Sequence, residues 1–169
     1  MKTIHYLATI GMLTLSACSE KKETSETPPP SDGAEFASVM VSTAPENPKT
    51  IYSVRKVAKP GDTLTVKGKV MGAEKVLVDS RAIMVLGDSE IITSCDQIPG
   101  DACNTPWDVC CDDPDTIKES TLTVQVVDKD GKLLKSGFRG VSGIKELSEL
   151  VVTGVVSEGS NKDNLMLNA

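Results

Sequence analysis

From residue 51 to the end of the chain, apolar and polar residues alternate in short runs that glycines interrupt. That period of two is the signature of half-buried β-strands, and the runs are too short for a stable helix of the same burial. "STLTVQVVD" (120–128) is the clearest case: Leu122, Val124 and Val126 share one face, and "DKDGK" offers a hairpin turn with Gly131 free to take positive φ. "TLTVKGKVMG" (63–72), "RAIMVLGD" (81–88), "EII" (90–92), "KLLKSG" (132–137), "LVVTGVVSE" (150–158) and "NLMLNA" (164–169) read as further strands, the last two paired across "GSNKDN". "GIKELSEL" (143–150) is expected to form one or two helical turns. With no strand–helix alternation, the pattern predicts a mainly β domain, a small five- or six-stranded barrel with one short helix. A β-sandwich is the alternative. The chain has 1 Trp, 2 Tyr and 2 Phe, so its core has to be built from Val, Leu, Ile and Met.

One segment breaks the pattern. "CDQIPGDACNTPWDVCCDDPD" (95–115) holds four of the five cysteines, the only tryptophan and a dense run of aspartates. The even set Cys95, Cys103, Cys110 and Cys111 suggests a disulfide clamp if the domain is exported. Because a bond between adjacent cysteines closes a strained ring, Cys110 and Cys111 are expected to reach separately to Cys95 and Cys103. Each bridge would contribute about 2 to 4 kcal/mol through the unfolded state.

Two metal readings compete with the clamp. Four thiolates can hold a tetrahedral ion, but such sites usually bring ligands as closely spaced pairs, whereas the intervening residues here number seven, six and none. Cys110 and Cys111 could share a soft ion such as copper(I) only if the chain bends sharply. Calcium or another divalent ion is the other option, held by Asp108, Asp112, Asp113 and Asp115, with Glu119 as a further ligand. No Lys or Arg lies between Gly87 and Ile117 to neutralise these carboxylates, yet the spacing lacks the regular calcium-loop pattern. Thiol–disulfide catalysis is disfavoured because the segment has no C-x-x-C. Trp107 is expected either to pack against the loop or, exposed beside Ile98 and Pro99, to anchor a protein partner.

The N-terminus bounds where such a domain works. "MKTIHYLATIGMLTLSAC" has a basic start, an apolar run and small residues ending at Cys18, the form of a secretory signal peptide. "LSAC" resembles the lipobox of bacterial lipoproteins, which implies cleavage before Cys18 and acylation of that residue. Ser19 in the next position implies sorting to the periplasmic face of an outer membrane. "SEKKETSETPPPSDGAE" is too polar to repay its own ordering and reads as a flexible tether. The expected division is a signal peptide at 1–17, lipidated Cys18 and tether at 18–49, and one β domain at 50–169 with the cysteine-rich loop at 95–115.

Charge and composition exclude more than they assign. The formal net charge is −6, and Lys67, Lys69, Arg81, Arg139 and Lys145 are scattered as solubilising residues are, so a polyanionic partner such as nucleic acid is disfavoured. The only histidine is His5, inside the signal peptide, which leaves no imidazole for a nucleophile–histidine pair. There is no phosphate-binding glycine loop, and the expectation is that the protein is not an enzyme.

"GDTLTVKGKVMG" followed by "GDACNTPWDVCC", "TVQVVDKDGKLL" and a closing "ELSELVVTGVV" with "NLMLNA" resembles OB-fold-like bacterial lipoproteins of planctomycete type, over about 61–169. That family brings no assigned activity. The resemblance implies an OB-like barrel, and OB folds often bind oligosaccharides or nucleic acids. The expected function is therefore a noncatalytic, lipid-anchored envelope protein with a structural or protein-interaction role and a disulfide-stapled loop. The alternatives are a metal-binding lipoprotein, by the acidic loop or by thiolates, and an oligosaccharide- or nucleic-acid-binding module. The implied partners are the membrane, through the lipid, and an envelope protein.

Overall fold

The computed structural model describes residues 33–169. The signal peptide, Cys18 and the tether up to residue 32 lie outside the described residues. The domain contains six strands, β1 (Lys49–Thr50), β2 (Thr63–Lys69), β3 (Ile83–Gly87), β4 (Thr121–Gln125), β5 (Glu149–Val156) and β6 (Met166–Asn168), and two short helices, α1 (Ile51–Arg55) and α2 (Pro114–Glu119).

The strand order is β1-β2-β3-β4-β6-β5, and β2 also pairs with β5. Five strands thus close on themselves, with β1 added in parallel beside β2. Closure rests on the seven-residue antiparallel ladder from Thr63↔Val155 to Lys69↔Glu149. β4 and β6 run parallel, with Val124 opposite Leu167. This is the small mainly β barrel that the alternation predicts, OB-like as the resemblance implies, and not a sandwich. The expected pairing of the last two strands also holds, with Val156 opposite Leu167.

The inward residues follow the strand period. Val66 on β2, Met84 and Leu86 on β3, Leu122 and Val124 on β4, Val156 on β5 and Leu167 on β6 are buried together. Each fully buried aliphatic side chain is worth roughly 1.5 to 3 kcal/mol, so this stripe is the main source of stability. Phe36 belongs to the same core: it is fully buried, and its ring centroid lies 4.9 Å from that of Phe138. Phe36 falls within the tether expected at 18–49 because it directly follows the polar run "SEKKETSETPPPSDGAE". It follows Gly33, whose φ of 73° starts a 3-10 turn over Ala34–Phe36 and brings the ring back onto the barrel.

Four local expectations are corrected. Residues 51–55, read as β, form α1, because Thr50 caps it by accepting a hydrogen bond from the Ser53 N–H. The stretch 90–92 is a turn, its Ile91 and Ile92 N–H groups both donating to the Asp88 carbonyl. The helical turn expected at 143–150 falls earlier, as a 3-10 turn over Val141–Gly143, and 132–137 contributes only the bridge Val127↔Leu133. No helix among the described residues is long and apolar enough to cross a membrane.

Candidate metal centre

The cysteine loop joins β3 to β4, and a series of tight turns shapes it. Cys95 N–H donates to the Asp108 carbonyl at 2.8 Å and Asp96 N–H to the Pro106 carbonyl at 2.9 Å, so the two ends of the segment run side by side. Between them, Ile98 to Asp101 form a turn closed by Asp101 N–H to the Ile98 carbonyl, with Pro99 and Gly100 in the middle. Gly100 has φ 80°, the value a type II turn requires at that position. Asp101 Oδ1 then accepts the Cys103 N–H at 2.9 Å and fixes where that thiol sits. Pro106 and Trp107 occupy the centre of the next turn, Asp108 N–H to the Thr105 carbonyl, and Cys110 and Cys111 the centre of the last, Asp112 N–H to the Val109 carbonyl.

The loop is fastened to the barrel by side chains. Val109 is buried with Met71 and Ile92 in a small apolar cluster of its own, against which Trp107 packs. The Trp107 indole N–H donates to the Glu74 carbonyl at 2.9 Å, and the Trp107 carbonyl accepts the Gly72 N–H at 3.1 Å. Trp107 is therefore half-buried and hydrogen-bonded into the loop's base, touching both apolar clusters.

These turns bring Cys95, Cys103 and Cys110 together, their sulfurs all within 4.8 Å of one another. Cys95 and Cys110 are in sulfur–sulfur contact at 3.8 Å. A disulfide needs about 2.05 Å, and all four cysteines of the loop are free thiols. The disulfide clamp expected from the even count is therefore corrected. What the loop builds is a three-thiol niche capable of holding a metal ion, with Cys111 outside the triad.

Exposure and chemistry grade across the niche. Cys95 is buried, Cys103 half-buried and Cys110 exposed. Burial, followed by the hydrogen bond to Cys110, pushes the Cys95 thiol well above the ordinary range. Hydrogen bonds from Thr105, first its hydroxyl at 3.2 Å, pull the Cys103 thiol down toward the thiolate. Cys111 is raised, chiefly by the neighbouring Cys110 charge. One ligand thus gives up its proton more readily than an ordinary thiol while another keeps its proton until an ion displaces it.

The aspartates do not join the niche. Asp112 accepts the Thr93 N–H at 2.7 Å, and Asp108 accepts the N–H of Val109. Asp113 caps α2 by accepting from the Asp115 and Thr116 N–H groups, and these bonds hold its carboxyl below the usual range. Asp115 lies in the first turn of that helix and Glu119 at its end. Among the described residues, the three cysteines are the only group of His, Cys, Asp or Glu close enough to share an ion.

Sequence reasoning missed Lys69. It is buried rather than solubilising, and its ammonium lies 3.3 Å from Ser94 Oγ, which donates in turn to Asp96 Oδ1 at 2.5 Å. The chain places this cation under the start of the cysteine loop. Arg139 is also more than a solubilising charge, since it bridges Asp79 and Glu146. Thr105 went unread as well; its position two residues after Cys103 was the available signal.

A separate apolar cleft of about 370 Å³ lies between residues 39–45 and the barrel, lined by Val39, Met40, Val124, Phe138, Leu150 and Val152. It offers no Lys or Arg and no exposed ring for stacking, because Phe138 is buried. Tyr52 lies elsewhere, under the Lys56 ammonium. No protein-family model matches the chain, and no curated protein or solved structure matches it.

Proposed function

We propose that the protein binds a soft, thiophilic metal ion in the niche of Cys95, Cys103 and Cys110. The domain would present that ion from a membrane to which lipidated Cys18 anchors it, on the periplasmic face of an outer membrane. The observation that carries the reading is the 3.8 Å separation of Cys95 and Cys110. Thiolates bound at about 2.3 Å in a tetrahedron stand about 3.8 Å apart, so this pair is already spaced as ligands. Thiolate ligands without imidazole or carboxylate favour copper(I) or zinc over calcium or magnesium.

Two further features support the reading. Burial of Cys95 shields one metal–sulfur bond from solvent. The stretch between Gly87 and Ile117 carries acidic residues and no Lys or Arg of its own, which raises the local concentration of cations over anions.

The test is titration of the reduced full chain with zinc(II) and, without oxygen, with copper(I), followed by elemental analysis. One ion per chain is expected, lost in Cys95→Ser, Cys103→Ser and Cys110→Ser. Binding unchanged in all three variants overturns the reading. Release of the protein from membranes by Cys18→Ser checks the anchor separately.

A further inference from the structure

We infer that the niche is a transfer site, in which Cys111 draws the ion outward by exchanging with Cys110 and passes it to the thiols of an acceptor. This rests on the ion-binding reading and adds a direction to it.

Three observations carry the inference. A structural thiolate site is closed by four ligands, whereas here three converge and the fourth thiol of the loop stays outside. Exposure rises in order from buried Cys95 through half-buried Cys103 to exposed Cys110 and Cys111, so an acceptor meets the Cys110 and Cys111 sulfurs before that of Cys95. Cys110 and Cys111 are the two central residues of the Val109–Asp112 turn, and both are exposed. A small rotation of that turn exchanges one sulfur for the other without disturbing Val109, which is buried in the base of the loop.

The step balances without a redox partner. The bond from the ion to Cys110 Sγ breaks as the bond to Cys111 Sγ forms. The proton leaving the Cys111 thiol passes to the released Cys110 thiolate, and the ion keeps its oxidation state. Acceptor thiolates then replace Cys111, Cys103 and Cys95 in turn, one metal–sulfur bond forming for each that breaks. Cys95, the most buried of the three, is released last and recovers its proton from solvent.

The experiment loads the full chain with zinc(II) or, without oxygen, copper(I), and mixes it with a synthetic dithiol peptide. The two are separated by size at timed intervals, and the metal is measured in each fraction. In Cys111→Ser, equilibrium affinity is expected to stay within about threefold of wild type while transfer slows about tenfold or more, because the entering thiolate is lost. Transfer at the wild-type rate overturns the inference and leaves the ion-binding reading standing. An affinity loss as large as that of Cys110→Ser also overturns it, by making Cys111 a resident ligand. A wild-type chain that takes up neither ion overturns the ion-binding reading and this inference together.

Discussion

Cys95 and Cys110, fifteen positions apart in sequence, hold their sulfurs 3.8 Å from each other. The contact follows from the backbone: Cys95 N–H is tied to the Asp108 carbonyl, two residues before Cys110. A thiol pair at this distance is too far apart for a covalent bond and well spaced for a shared ion.

Ion affinity should therefore depend steeply on pH. Each thiol still protonated in the free protein must lose its proton on binding and adds about one log unit of affinity per pH unit. Cys103, already lowered, stops contributing first as pH rises, and Cys95, raised by burial, contributes throughout the neutral range. Competition titrations at pH 6, 7 and 8 are expected to show affinity rising at every step. A flat profile would rule out thiolate ligation.

The metal-free protein should lose stability in alkali. The folded state holds the Cys95 proton more tightly than the unfolded chain, so the contribution is complete below the unfolded thiol value of about 8.5 and declines above it. Thermal melts of the reduced protein between pH 7 and 10.5 are expected to fall on the alkaline side. Cys95→Ala should flatten that limb; if it leaves the slope unchanged, another group is responsible.

Phe36→Ala should destabilise the domain by about 3 to 5 kcal/mol, the range for emptying a fully buried aromatic site. The ring is fully buried and stacks on Phe138, although it lies in a segment whose composition resembles a linker. Urea unfolding checks it, and a loss under about 1 kcal/mol would place Phe36 outside the cooperative unit.

Gly72→Ala should be worse than Gly100→Ala. Both glycines have positive φ, but a Cβ on Gly72 would also stand 2.7 Å from Thr121 Cγ2, while one on Gly100 meets nothing within 4 Å. Strain alone should cost about 1 kcal/mol, and strain with the clash on the order of 2 to 3 kcal/mol. Because the Gly72 N–H holds the Trp107 carbonyl, the first variant should also weaken ion binding. Parallel denaturation and metal titration would separate the two effects, and equal losses in both variants would contradict the argument.

The barrel was legible in the sequence because Leu122, Val124 and Val126, or Leu64 and Val66, repeat with the period of a strand and their neighbours do not. The short helices were harder to see. Asp113 and Pro114 form an N-cap and first helical residue, but in a run of aspartates and proline the same letters read equally well as a turn. Phe36 was hidden for a related reason: one ring at the end of a long polar run establishes no period. The site was misread because the number of cysteines says how many pairs are available, not how far apart folding holds them. The turns at Pro99–Gly100 and Pro106–Trp107 set those distances, and the backbone bonds that fix them involve residues other than the cysteines.

The ladder between β2 and β5 has a consequence in time. The barrel cannot close until β5 has been made, and every cysteine of the loop precedes β5 in the chain. Pairing of such distant segments is slow. The nascent loop thus displays all four thiols before there is a barrel to cover Cys95, and during that interval the order of events decides the product. An ion that arrives early meets four equivalent, mobile sulfurs, whereas one that arrives after closure meets the graded niche.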